Sequence, residues 1–290
     1  MSKQLSGTAT KALAVAAATP VALFAAYSAV SHLYYRRSNI ATASEVYNRV
    51  TSDKNRMADP IAWDNYILAH AESNEQRYSL PPLVGLRVSV EDSDFEGMQT
   101  FVLNRRNLND RAVVYLHGTC FVNQPTIYHW RFLDSLARRT RAEVVAPIYP
   151  LAPVHNEAFA AIEGLYRSMV EKYGADSVTL MGDASGAGIA ASFCQLLPEL
   201  GLPQPERLVL ISPWVDASLS NPDVAAYEAA DPMFALQGLR RIAHTWAKGL
   251  DINDPRVSPI NGGVRMLRNV MVFTGTRELF HPDAVLFHQR

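Results

Sequence analysis

Residues 178–188 read V-T-L-M-G-D-A-S-G-A-G. A short apolar run passes through a turn rich in glycine, and a stretch with helical periodicity follows over 185–197. A strand that turns directly into a helix in this way is typical of the crossover units of parallel sheets. We therefore expect the glycine-rich turn to lie at the carboxyl end of a buried strand, where open α/β sheets bind their ligands.

The same alternation extends along the chain on both sides of this stretch. Apolar runs predict strands over 86–90, 98–103, 111–116, 143–148, 177–181, 207–211 and 270–274. Helical periodicity predicts helices over 43–71, 128–139, 156–173, 185–197, 236–250 and 282–290. Such a pattern favours an α/β fold, a mostly parallel and doubly wound sheet with helices on both faces. Residues 213–259 interrupt the rhythm and are predicted to form an insertion above the sheet.

The composition excludes several classes of protein. The chain has 290 residues, 48% of them apolar and 19% charged, which is enough for one sizeable core. A net charge of −1 gives no positive field for nucleic acid. Two cysteines, Cys120 and Cys194, exclude a disulfide scaffold, and no Cys or His spacing suggests a metal site.

The N-terminus carries an apolar segment over residues 12–35 that contains no Asp, Glu, Lys or Arg and is followed by Arg36 and Arg37. A segment of about 20 apolar residues is long enough to cross a bilayer. A signal anchor, a cleaved secretory signal and a soluble helix all remain open for residues 1–40. The segment predicts a membrane-anchored or secreted protein, and the denser positive charge after it favours a cytoplasmic main domain for the anchored form.

Three loops that follow predicted strands carry the polar residues of interest. They read H-G-T-C-F over 117–121, G-D-A-S-G over 182–186 and G-T-R-E over 275–278, beside I-Y-P-L-A-P over 148–153 and S-P-W-V-D over 212–216. In these motifs the sequence resembles the hormone-sensitive-lipase-like family of α/β hydrolases, also called bacterial family IV esterases, from about residue 83 onward. The resemblance implies an α/β-hydrolase fold with a helical cap. It also implies hydrolysis of a small-molecule carboxylic ester through an acyl-enzyme, without cofactor or metal.

The loop at 117–121 corresponds to the family pattern H-G-G-G-[FW], whose backbone N–H groups bind the oxyanion. The resemblance therefore implies an oxyanion hole built from Gly118, Thr119, Cys120 and Ser185, with His117 shaping the turn. Thr119 and Cys120 stand at glycine positions of the pattern. Because a β-branched side chain resists positive φ, we expect Thr119 to narrow this site.

The turn at 182–186 corresponds to the family's nucleophile pattern G-D-S-A-G-G. Gly182, Asp183 and Gly186 match its structural positions, and Ala184 stands at the position of the nucleophile. Alanine cannot attack a carbonyl carbon, so acyl-enzyme formation is expected to be impaired in this chain. A shift of one residue would make Ser185 the nucleophile, but it would also put a carboxylate at a crowded flanking position.

Glu278 matches the family's acid in a G-x-x-[DE] turn, where it would orient an imidazole. In the family the histidine follows one further helix and strand. The sequence ends at Arg290, so the last helix and strand and this histidine are expected to be missing. His281 and His288 lie close to Glu278 in sequence, but so short a turn cannot easily present an imidazole to the nucleophile.

Two other interpretations remain open. The glycine-rich turn also fits a dinucleotide-binding protein, although that turn follows the first strand of its domain and here several strands precede it. With Ala184 in place of a nucleophile, the protein could instead bind an apolar acid or ester without cleaving it.

The expected organisation is an N-terminal segment (1–40), cap helices (41–82) and a hydrolase domain (83–290) with a cap insertion at about 217–255. The cap is expected to line an acyl pocket with Trp214, Phe234, Leu236 and Trp246.

Overall fold

The computed structural model describes residues 20–82, 84–106, 109–153 and 155–290. The chain forms two compact units, one ending at Ser52 and one running from Asp53 to Arg290. The domain boundaries expected near residues 40, 82, 217 and 255 stay predictions.

The first unit is helical where it is described. Residues 20–29 form a helix that continues as a π-helical turn over Val30–Tyr34, and helix α1 spans Asn39–Thr51. The Ser38 side chain caps α1 by accepting the N–H of Ala41. Within the described ranges, no helix has the length and apolar character needed to cross a membrane. Residues 1–19 of the predicted N-terminal segment lie outside the described residues.

The stretch over 43–71, predicted to be helical from its periodicity, is divided into several helices. This stretch contains α1, α2 (Lys54–Met57) and α3 (Pro60–Asn74). Ser52 takes an extended conformation that ends α1. Asp59 is also extended, and its carboxylate caps α3 by accepting two backbone N–H groups, with Pro60 in the first turn. Ser52 therefore ends one helix and Asp59 begins another, although the helical periodicity of the sequence continues across both residues.

The first strand also differs from the prediction. Strand β1 spans Val90–Phe95 rather than 86–90, and it pairs with β2 (Met98–Leu103). The turn between them consists of Glu96 and Gly97, whose φ angles are both positive, 50° and 87°. Two such residues favour a tight hairpin, and this turn sets Phe95 opposite Met98. The apolar side chains of segment 84–88 pack against the core without joining the sheet.

One sheet of seven strands runs through the described part of the second unit, in the order β1-β2-β4-β3-β5-β6-β7. The strands after the hairpin are β3 (Ala112–Leu116), β4 (Glu143–Pro147), β5 (Val178–Asp183), β6 (Arg207–Ile211) and β7 (Val270–Phe273). Strand β2 is antiparallel to both neighbours, whereas the strands from β4 to β7 are parallel. The mostly parallel sheet confirms the predicted fold class. The loops after β3, β5, β6 and β7 consequently meet at one edge of the sheet.

Helices cover both faces of the sheet. Along β3, Val114 and Leu116 point into the larger core together with α5 (His155–Tyr173) and α6 (Ala184–Leu196). Val113 and Tyr115 point into the smaller core, which α4 (Ile127–Thr140) closes from the opposite side. The alternation of β3 therefore assigns the two helical layers, as expected for a strand buried on both faces.

The insertion between β6 and β7 contains α7 (Val224–Tyr227), α8 (Leu236–Ala247) and the 3₁₀ turn Pro259–Asn261. Helix α8 packs on α3, where Trp63 Nε1 donates to the Gly238 carbonyl at 3.0 Å. A Cβ at Gly238 would lie 2.6 Å from the Met57 side chain, so a glycine is needed for this close approach. Helix α9 (His281–Gln289) follows β7.

Candidate active site

The turn from β5 into α6 is a sharp bend centred on Ala184. Its φ is +44°, a left-handed conformation that a residue with a Cβ rarely adopts. The bend brings Gly182 against Gly186, where an added Cβ on Gly182 would lie 2.6 Å from backbone atoms of Gly186. An added Cβ on Gly186 would lie 2.1 Å from the Leu116 carbonyl oxygen. The two glycines thus allow close contacts that no other residue could make, and Ala184 lies at the apex of the bend.

Ser185 follows the apex and points into the protein. It is fully buried, and its Oγ accepts the backbone N–H of Thr119 at 3.1 Å and, more weakly, that of Phe121 at 3.4 Å. A hydroxyl held in this way faces away from solvent. The geometry therefore favours Ala184 over Ser185 as the residue at the nucleophile position.

The loop at 117–121 packs directly on the bend. An added Cβ on Gly118 would lie 2.1 Å from the Asp183 carbonyl oxygen and 2.8 Å from the Ala184 Cβ. Positive φ occurs at Cys120 (56°) and Phe121 (61°) and does not occur at Thr119. The β-branched residue therefore escapes the strain expected for it, because the left-handed turn begins one residue later.

His117 is a buried, neutral side chain of this loop. Its Nδ1 lies 3.3 Å from Thr119 Oγ1, and its Nε2 has no partner among the described residues. Burial lowers the pKa of His117 to about 3, so the ring is uncharged at neutral pH. Tyr149 stacks on the ring, and its hydroxyl donates to the His117 carbonyl. These contacts assign His117 to the shape of the loop.

Asp183 joins the loop, the bend and α4. One carboxylate oxygen accepts the Tyr115 hydroxyl at 2.6 Å and the Gly118 N–H at 2.8 Å. The other lies 3.4 Å from His129 Nε2. Burial alone would raise the pKa of Asp183, but the neighbouring His129 and the hydrogen bonds from Tyr115 and Gly118 outweigh it and lower the pKa below its usual value. Asp183 is therefore a partly buried anion that orders the Gly118 amide.

Glu278 lies in the turn after β7 and is held by three donors. Ser212 Oγ donates to one carboxylate oxygen at 2.9 Å, and Thr274 Oγ1 and the Gly275 N–H donate to the other at 2.8 Å each. His281 Nδ1 contacts Thr274 Oγ1 at 3.2 Å. In the described part of the chain, no histidine has a hydrogen bond to Glu278 itself.

The segment after β6 links the acid to the bend. Trp214 N–H donates to the Ala184 carbonyl at 3.0 Å, two residues after the Ser212 side chain that contacts Glu278. Four residues of the site were not predicted from the sequence. Ser212 and Thr274 contact Glu278, and Tyr115 and His129 contact Asp183. Ser212 opens the S-P-W-V-D motif, and only that position in the motif could have indicated its role.

The two cysteines and two tryptophans considered as candidates, Cys120, Cys194, Trp214 and Trp246, are buried in the core. Burial raises the pKa of the Cys120 thiol to about 12 and that of Cys194 well above its usual value, so neither is a thiolate at neutral pH. Trp214 and Trp246 are 2% and 1% exposed, and the Phe121 ring stacks on Trp246 with centroids 4.4 Å apart. These two tryptophans fill the core and do not line an open acyl pocket. The described residues hold no cluster of three or more His, Cys, Asp or Glu that could bind a metal ion.

Comparison with families of known proteins matches residues 113–290 to a family described as alpha/beta hydrolase fold. A triacylglycerol lipase of Mycobacterium tuberculosis is 30% identical over 213 residues, which is 72% of this chain and 44% of the lipase. An acetyl-hydrolase of Streptomyces hygroscopicus is 31% identical over 183 residues, 62% of this chain and 61% of that protein. The chain thus aligns with 44% of the length of the first relative and 61% of the second.

Two solved structures that are similar to this chain are also described as esterases. A Staphylococcus aureus protein identified as a candidate esterase has a TM-score of 0.77 and 36% identity, covering 80% of this chain and 79% of its own. An esterase of the bacterial hormone-sensitive lipase family has a TM-score of 0.65 at 22% identity, covering 79% and 82%. At that identity the second likeness concerns the fold alone.

Proposed function

This chain belongs to the alpha/beta hydrolase family, and we propose that its site is that of a carboxylic-ester hydrolase which binds esters but lacks the nucleophile for an acyl-enzyme. The predicted family and fold are confirmed by the comparisons. The observation that carries the proposal is the bend at Ala184, where a methyl group occupies the apex at φ +44° between two glycines in close contact.

The chemistry of a complete site follows from its parts. A serine hydroxyl at 184 would attack the ester carbonyl carbon, and its proton would pass to an imidazole held by Glu278. The carbonyl oxygen, now negative, would accept backbone N–H groups near the apex. The bond from the carbonyl carbon to the alcohol oxygen would then break, and the alcohol would leave with the proton from the imidazolium. Water, giving a proton to the imidazole, would attack the acyl-enzyme, release the acid and restore the serine hydroxyl. With Ala184 the first bond cannot form.

The oxyanion donors of this chain differ from the predicted set. The Gly118 amide is used by Asp183, and the Thr119 amide is used by the Ser185 hydroxyl. We assign the oxyanion to the amides of Cys120 and Ser185, because Ser185 directly follows the apex and Cys120 belongs to the loop that packs on the bend through Gly118. An ester carbonyl bound there would be polarised but would meet no attacking group.

Replacing Ala184 by Ser tests the proposal directly. Wild type, Ala184→Ser and the double variant Ala184→Ser/Glu278→Gln would be treated with a fluorophosphonate, and adducts would be mapped by peptide mass spectrometry. We expect no adduct in wild type and an adduct at position 184 in both variants at similar rates, because no histidine among the described residues contacts Glu278. An adduct at Ser185 in wild type would contradict the assignment of the apex.

A second measurement separates an impaired hydrolase from a pure binding protein. Hydrolysis of 4-nitrophenyl butyrate would be followed for wild type and Ala184→Ser, each against buffer. Gain of turnover in the variant supports the hydrolase assignment. Absence of both adduct and turnover in the variant would favour the alternative, a non-catalytic ligand-binding protein built on the same fold.

Membrane attachment through residues 1–40 remains a separate prediction. Leu33 and Tyr34 are each 79% exposed, which suits a segment that contacts lipid. Flotation of the full chain with anionic liposomes, compared with a chain starting at Asn39, would test it. Equal recovery of both chains in the bottom fraction would remove the prediction.

A further inference from the structure

A cleft of about 900 Å³ lies next to the turn that carries Glu278. The segment after β6, helix α7 and helix α9 line it, with Asp216, Asn221, Tyr227, His281, Asp283 and Leu286 among its walls. It adjoins the candidate active site through His281, which contacts the same Thr274 hydroxyl that donates to Glu278. The cleft is distinct from the bend at Ala184, and the proposed ester chemistry does not use it.

Asp283 is a buried carboxylate that the protein only half satisfies. It is 1% exposed, although it lies on a wall of the cleft. Asn221 Nδ2 donates to one of its oxygens at 2.9 Å. The other oxygen is buried and has no partner among the described residues. A buried charge without a full set of hydrogen bonds is costly, so a donor placed at this oxygen would be stabilising.

The surroundings of Asp283 are acidic. Asp216, 5% exposed, accepts hydrogen bonds on both carboxylate oxygens from Ser218 and Ser220. Asp223 adds a third carboxylate at the rim, against the single guanidinium of Arg290.

Burial, and to a lesser extent the charge of Asp216, raises the pKa of Asp283 to about 6. At pH 7.5 Asp283 is therefore ionised, and one of its carboxylate oxygens has no hydrogen-bond donor among the described residues.

We propose that this cleft is a binding site for a protonated amine, whose N–H donors complete the free oxygen of Asp283. An ammonium group satisfies both needs of the site, because it supplies positive charge and hydrogen-bond donors together. The apolar wall formed by Leu286, Val285 and Pro282 would cover the carbon chain next to the amine. The proposal does not depend on ester hydrolysis.

Calorimetric titration with three small probes tests the site. n-Butylammonium chloride carries charge and N–H donors, tetramethylammonium chloride carries charge without donors, and 1-butanol carries neither charge nor an ammonium. At pH 7.5 we expect saturable binding of butylammonium, weaker binding of tetramethylammonium and none of butanol. Equal binding of the two cations would overturn the role of the free oxygen, and no saturable binding of butylammonium would overturn the site.

Two carboxylates of one cleft provide a matched pair of variants. Asp283→Asn removes the buried charge while keeping an oxygen for Asn221, and we expect roughly ten-fold or greater loss of butylammonium affinity. Asp223→Asn removes the same charge from the exposed rim, and we expect a change within about two-fold. A similar loss in both variants would mean that only general negative charge attracts the probe, which contradicts the proposal.

A third variant serves if Asp283→Asn does not fold. Leu286 is 42% exposed and lies three residues after Asp283 on α9, so Leu286→Lys places an ammonium beside the carboxylate on a tolerant surface position. We expect this variant to fold and to lose butylammonium binding. Retention of wild-type affinity in a folded Leu286→Lys protein would overturn the proposal.

Discussion

Replacing Ala184 by Gly should stabilise the protein, although glycine normally weakens a helix. Ala184 is the first residue of α6 and has φ +44°, whereas Ala190 lies inside the same helix and is fully buried. The same substitution at these two positions therefore removes the same methyl group from opposite conformational settings. The pair tests the strain at the bend with the chemistry of the change held constant.

The magnitudes follow from the two settings. A left-handed conformation costs a residue with a Cβ about 1–2 kcal/mol, and glycine returns about 0.4–1 kcal/mol of this through the greater freedom of the unfolded chain. Ala184→Gly should thus raise the free energy of unfolding by about 0.5–1 kcal/mol. Ala190→Gly should lower it by about 1 kcal/mol for helix propensity and about 0.8 kcal/mol for the lost buried methyl. The two variants should differ by roughly 2.5 kcal/mol.

Urea unfolding followed by tryptophan fluorescence measures this difference. All four tryptophans of the chain lie after residue 53, so the signal reports the unit that contains the bend. We expect the midpoint of Ala184→Gly to exceed that of wild type and the midpoint of Ala190→Gly to fall below it, with unchanged slopes. If Ala184→Gly destabilises the protein as much as Ala190→Gly, residue 184 is not strained and the assignment of the apex fails.

Three further substitutions are predicted to change stability. Asp283→Asn should stabilise the protein above pH 6 by at most about 3 kcal/mol and have little effect below pH 3.8. The reason is that a carboxyl pKa raised from 3.8 to about 6 opposes folding only where the group is ionised. Urea unfolding from pH 3.5 to 8 measures this, and a gain in stability independent of pH would contradict it. Ser185→Ala should lower the free energy of unfolding by about 1–3 kcal/mol, since the Thr119 amide loses its acceptor; a stability equal to wild type in urea would show that this bond contributes nothing. Gly182→Ala should lower the free energy of unfolding by about 3 kcal/mol or more, because its Cβ would lie 2.6 Å from backbone atoms. Gly263→Ala, with nothing within 4 Å, should change it by less than about 0.5 kcal/mol in the same urea titrations.

Features that depend on neighbouring residues in sequence could be predicted well. The bend at Ala184 follows from an apolar strand, two glycines four residues apart and a helix, all within one short stretch. The alternation of strands and helices after residue 111 likewise predicted the parallel sheet. In each case the contacts that stabilise the element come from residues close by in the chain or repeat with a regular period.

Features that depend on contacts between residues far apart in sequence, or on one particular residue, could not be predicted. The φ angles at Glu96 and Gly97 move the first strand to a polar stretch that period-two alternation does not favour. The role of Ser212 depends on strand order, because β6 and β7 must be neighbours before its hydroxyl can meet Glu278. Tertiary packing decides such positions, and a pattern of apolar residues carries little information about it.

The close contacts of Gly182 and Gly186 make the architecture of the bend independent of the side chain at its apex. Alanine and serine codons of the GCN and TCN families differ by one base, so a single point mutation can exchange them without disturbing those contacts. A lineage that carries this protein can therefore lose or regain a hydroxyl at position 184 in one evolutionary step. The backbone of the bend would accommodate a serine without rearrangement, although the alanine now present cannot attack an ester.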